Sequence, residues 1–117
     1  MNIQIEVLGE VTCVRLEGRL DFGAATSFQQ SIERLFAGQP PPPAVIIDGS
    51  RLEYVASAGL RAFLLAAKAA QRAGSAFALC ALQPAVREVF DLSGFSQIMS
   101  IHPDLETARA RLQAPHK

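Results

Sequence analysis

The feature that most constrains this chain is a repeated change of hydrophobic period, from strand spacing to helix spacing and back. Ile3-Gln4-Ile5-Glu6-Val7 alternates apolar and polar residues, the pattern of a strand with one covered face. After a short turn at Gly9-Glu10, Val11 to Glu17 reads as a second strand that ends at Gly18, so the two should form a hairpin. From Ala24 to Ala37 the period becomes helical, with Phe28, Ile32, Leu35 and Phe36 on one face. Gly38 stops that helix, and Gln39 to Pro43 reads as a stiff spacer, too short and too embedded for a proline-rich ligand.

The alternation continues. Ala44-Val45-Ile46-Ile47 is a continuous apolar run, suited to a central strand covered on both faces. Asp48-Gly49-Ser50 ends it, and Arg51 to Ala56 reads as a loop. A helix should open at Ser57-Ala58-Gly59-Leu60 and run to about Ala73, burying Leu60, Phe63, Leu64 and Ala67, with Gly74 closing it. Ala76 to Ala81 is a fourth strand. Gln83-Pro84 starts a helix with proline in its favoured first turn, and Val86, Val89, Phe90 and Leu92 form its core face. Ser96 to Ile101 reads as a short last strand. Pro103-Asp104 starts a final helix with Leu105, Ala108 and Leu112 inward, and residues 114–117 form a tail. The expected fold is α/β: one domain over 1–113, a mixed sheet of about five strands, and about four helices.

Composition narrows the function classes. The chain has 117 residues, half of them hydrophobic, with 11 basic and 11 acidic side chains. That suits one compact domain and excludes a disordered type. Balanced charge supplies no field to attract nucleic acid. No apolar run is long enough for a membrane helix, so no membrane insertion is expected, and the start of the chain carries no secretory pattern. Cys13 and Cys80 each lie among apolar neighbours and read as reduced thiols packed in strands, which fits a cytoplasmic protein.

Few residues are placed for catalysis. There is no nucleophile elbow, P-loop, dinucleotide fingerprint or zinc spacing, and no cofactor is expected. Neither His102 nor His116 is obviously held in a core, so neither reads as a catalytic base. Asp48 ends the central strand, where a doubly wound sheet places functional groups, and could be a phosphoacceptor. The paired acids that magnesium-dependent chemistry needs are missing after the first strand, which favours Asp48 as a side-chain cap of the next turn. Ser57 precedes a helical apolar pattern and is a good N-cap by type. Arg61, Lys68 and Arg72 form a basic stripe on the outer face of that helix, either solvating it or, in the case of Arg61, touching a partner.

The strand Val45-Ile46-Ile47-Asp48, the loop after it and the segment Ser57-Ala58-Gly59-Leu60-Arg61 closely resemble the STAS domain, the family of bacterial anti-sigma factor antagonists. Gly18-Arg19-Leu20-Asp21, the Gly74 turn, Leu82-Gln83-Pro84-Ala85-Val86 and Leu92-Ser93-Gly94-Phe95 extend the resemblance over essentially the whole chain. It implies a non-catalytic, phosphorylation-switched regulator of transcription. Ser57 matches the family's phosphorylation site, and Asp21 matches a loop aspartate near it. Ala56 stands where the family pattern has aspartate. The implied partner surface comprises Asp21, Tyr54, Val55, Ala56, Ser57, Ala58, Gly59, Leu60 and Arg61; Tyr54 and Val55 could equally anchor the loop. The implied partners are an anti-sigma factor that is also a serine-protein kinase of the GHKL type, and a PP2C-type phosphatase that restores binding. The alternative is a soluble STAS subunit of a lipid-transport ABC complex, docked permanently through the same helix start.

Overall fold

A computed structural model describes residues 1–113; the tail expected at 114–117 lies outside the described residues. The elements are β1 (Asn2–Leu8), β2 (Val11–Leu20), α1 (Phe22–Phe36), β3 (Ala44–Val55), α2 (Ser57–Ala73), β4 (Ala76–Cys80), α3 (Pro84–Leu92), a single 3-10 turn (Phe95–Gln97), β5 (Ile101–His102) and α4 (Leu105–Gln113). The five strands form one sheet in the order β1-β2-β3-β4-β5. β1 pairs antiparallel with β2 and every other pairing is parallel, so the mixed sheet follows the expected form.

The continuous apolar run in β3 is explained by coverage of both faces. Val45 and Ile47 belong to the main core, with Phe28 and Ile32 of α1, Phe63 of α2 and Phe90 of α3. Ala44 and Ile46 belong to a smaller cluster on the opposite face, closed by Ala108 of α4. A chain of aromatic contacts ties the main core together: Phe28 to Phe63 at 5.0 Å between ring centroids, Phe63 to Phe90 at 5.2 Å, and Phe90 to Phe95 at 6.4 Å. Both cysteines are free and fully buried in strands, as their apolar neighbours implied.

Several expectations need correction. Residues Arg51 to Val55 are not a loop: β3 continues through them, because the late part of β2 pairs with it from Glu17↔Arg51 to Leu20↔Val55. Two extra residues on β3, one between Asp48 and Arg51 and the other Glu53 between Leu52 and Tyr54, are absorbed as irregularities in the ladder. The expected strand from Ser96 begins instead as a 3-10 turn, with the Phe95 carbonyl accepting from Ile98 and Met99, and only Ile101–His102 pair with β4. In α2 the fully buried residues are Gly59, Ala62, Phe63, Ala66 and Ala70, whereas Leu60, Leu64 and Ala67 are half-buried. Small side chains there let α2 sit close to its neighbours. Leu92 points to solvent. Ile5 and Val7, expected on a covered face of β1, are 48% and 70% exposed.

Candidate functional site

β2 and β3 end side by side, at Leu20↔Val55, and each is followed within two residues by a helix. The junction is tight. The Ala56 N–H donates to the Leu20 carbonyl at 3.0 Å. Gly59 sits directly over that carbonyl: a Cβ at this position would lie 2.9 Å from the Leu20 backbone oxygen and 2.9 Å from its side chain. Only a residue without a side chain lets α2 approach this closely.

The clamp brings the starts of α1 and α2 to one end of the sheet. Asp21 is the N-cap of α1, its Oδ1 accepting the Ala24 N–H at 2.9 Å. This starts α1 at Phe22, two residues before the expected position. Ser57 is exposed and occupies the first helical position of α2. The N-cap is Ala56, whose carbonyl accepts the Leu60 N–H, and no side chain caps this helix. The capping role expected of Ser57 is therefore corrected: its backbone already lies inside the helix. The first turn of α2 holds no acidic side chain, and Ala56 supplies no capping oxygen to its positive start.

Around Ser57 the expected surface divides in two. Tyr54 is partly exposed and the Arg19 guanidinium lies 4.1 Å from its ring centroid. Arg61 is exposed on the outer face of α2, as are Lys68 and Arg72. Val55 and Gly59 are buried, and Ala58 and Leu60 pack against the core, so these four hold the surface from beneath. Sequence reasoning missed Arg19 and Phe22. Phe22 is 80% exposed directly after the Asp21 cap. The available signal was an aromatic residue set before, and off, the apolar face of α1.

Asp48 serves the fold. Its Oδ1 accepts the Ser50 N–H at 2.9 Å within the bulge, and its Oδ2 lies 3.5 Å from Arg15 Nε. Among the described residues no cluster of three His, Cys, Asp or Glu could hold a metal ion. His102 is half-buried in β5, where its backbone carbonyl accepts from Ala81. No helix of the described residues is long and apolar enough to cross a membrane.

The STAS domain family profile matches residues 2–108. The chain belongs to the STAS domain family. BtrV of Bordetella bronchiseptica, named as a candidate anti-sigma factor antagonist, is 46% identical over 66 residues, 56% of this chain and 57% of that protein. The alignment thus spans little more than half of either chain. An anti-sigma factor antagonist from Mycobacterium paratuberculosis has the same fold, with a TM-score of 0.87, 26% identity and coverage of 96% of this chain and 93% of that one. The Bacillus cell fate determinant SpoIIAA in its phosphorylated form is similar at a TM-score of 0.73 and 25% identity, over 96% of this STAS domain and all of that chain.

Proposed function

We propose that this STAS domain is an anti-sigma factor antagonist whose partner binding is switched by phosphorylation of Ser57. The observation that carries the reading is the exposed Ser57 hydroxyl on the first turn of a helix that no side chain caps. A phosphate there adds about −1.5 to −2 charges beside unpaired amides and a positive dipole end, so the domain itself tolerates it. A partner seated over the same helix start meets a hydrated dianion and is released without refolding of the domain. The partner is an anti-sigma factor that is also a GHKL-type serine kinase, and a PP2C-type phosphatase restores binding. The surface it contacts is formed by Asp21, Tyr54, Ser57 and Arg61. The relatives' names support an anti-sigma factor as the partner class.

The test is to incubate the domain with the kinase from the same host and ATP, and to map phosphate by mass spectrometry. Single phosphorylation at Ser57, and loss of partner binding in Ser57→Asp with an unchanged circular dichroism spectrum, are expected. Phosphate at another residue overturns the reading, as does co-purification with transporter subunits instead of a kinase.

A further inference from the structure

The two edges of the sheet are very different. β5 is two residues long and offers little for another strand to pair with. β1 is seven residues long and pairs with β2 without a register shift, from Asn2↔Glu17 to Leu8↔Val11. Natural edges are usually blunted by Lys, Pro, bulges or inward charges. β1 has none of these; its single charge, Glu6, is engaged by Arg15.

The direction of its free backbone groups follows from the turn. Gly9, with φ +67, and Glu10 form a two-residue loop closed by the pair Leu8↔Val11. Such a loop closes on a pair that exchanges both hydrogen bonds, and bonded and non-bonded pairs alternate from there. Leu8, Glu6, Gln4 and Asn2 therefore bond to β2, while Ile3, Ile5 and Val7 direct N–H and C=O outward. These three also share the apolar face of the strand. Ile3 packs on the core, and Ile5 and Val7 are largely uncovered.

We propose that β1 is the docking edge for a second copy of this chain, the two β1 strands pairing antiparallel about a two-fold axis at Ile5. The sequence of the strand is complementary to itself in that register. Ile5 meets its own copy, Ile3 meets Val7 of the copy, and Gln4 meets Glu6 of the copy, amide opposite carboxylate. All three outward-facing residues then lie in hydrogen-bonded pairs, giving about six intermolecular bonds. A slip of one pair in one direction sets Glu6 against Glu6 of the copy; in the other it loses part of the ladder. The sheet then continues through an isologous dimer whose ladder is formed by Ile3 to Val7.

The experiment is sedimentation velocity across a concentration series, with amide hydrogen exchange followed residue by residue. The expected result is a concentration-dependent dimer in which the Ile3, Ile5 and Val7 amides gain protection while those of Gln4 and Glu6 do not change. Ile5→Lys places like charges across the axis and raises the dimer dissociation constant by at least about tenfold. Val7→Pro removes an outward N–H that β2 does not use and weakens the dimer similarly. Circular dichroism melting of both variants checks that the domain remains folded. A chain that stays monomeric at about millimolar concentration overturns the proposal, given that a strand-edge contact is expected to be modest. A dimer that survives in Ile5→Lys, or that protects another face, overturns it equally. So does protection of these three amides only when a different protein is added.

Discussion

Asp21 and Ser57 both stand at helix starts, yet they hold their helices differently. Asp21 accepts an amide from the first turn of α1, whereas Ser57 lies inside α2 and caps nothing. Asp21→Ala is therefore expected to cost about 1 kcal/mol, measured as a shift in the urea midpoint. Ser57→Ala should leave that midpoint almost unchanged. Ser57→Asp should raise stability by about 0.3–1 kcal/mol, because a negative charge complements the start of α2. A substantial loss in Ser57→Ala would show the serine to be structural after all. Gly59 poses a contest between two effects. Alanine is worth about 1 kcal/mol over glycine in a helix interior. Here, however, its Cβ would strike the Leu20 carbonyl, and overpacking of a tight junction costs about 1–3 kcal/mol. Gly59→Ala should thus be net destabilising, and it should weaken partner binding by spreading the ends of β2 and β3. A gain in stability would show that the junction relaxes freely.

At the scale of elements, what the sequence made legible depended on whether local pattern or long-range pairing decided the outcome. The helices were readable because each has apolar residues at helical spacing, and the first two also have a glycine stop. Gly74 is an example: it closes α2 in the left-handed region at φ +72. Gly74→Ala should cost about 1–2 kcal/mol in thermal or urea unfolding, and an unchanged midpoint would mean the helix end rearranges. The far half of β3 was not legible, because Asp48-Gly49-Ser50 carries a turn signature in mid-strand and Arg51 to Val55 resumes the strand through its pairing with the end of β2. The last strand shrank for the opposite reason, its start being taken by the 3-10 turn that seats Phe95 on Phe90. The alanine stripe of α2 was hidden because periodicity arguments weigh large apolar residues, while close packing selects small ones. The site shows the same division. Ser57 and Asp21 could be named from motif resemblance, but the clamp between Leu20, Ala56 and Gly59 needs two strand ends that are distant in sequence.

At the scale of the molecule, zero formal charge and a sheet packed on both faces give a platform whose surface charge is easily changed. A phosphate at Ser57 would move the net charge from 0 to about −2, with no large pre-existing field to mask it. The core has a chemical signature of its own. Cys13 and Cys80 are fully buried on neighbouring parts of the sheet, and burial raises both thiols; Cys80 is pushed up from 9.0 to about 12. Below pH 9 both the folded and the unfolded chain keep their thiol protons, and the thiols leave stability independent of pH. Above it the unfolded chain releases them while the folded chain holds them. The unfolded state then binds fewer protons, so stability falls as pH rises from about 9 towards 12. Comparing urea midpoints at about pH 8 and about pH 10.5 isolates this contribution, provided a Cys13→Ala/Cys80→Ala variant is measured alongside. Everything but the thiols is common to both proteins, so the wild type should lose more stability than the variant over that interval. A thiol reagent at about pH 8 should label the native protein slowly and both cysteines rapidly once it is unfolded. Equal pH slopes in the two proteins, with rapid labelling of the native state, would mean that the sheet opens at β2 and β4 far more readily than its packing implies.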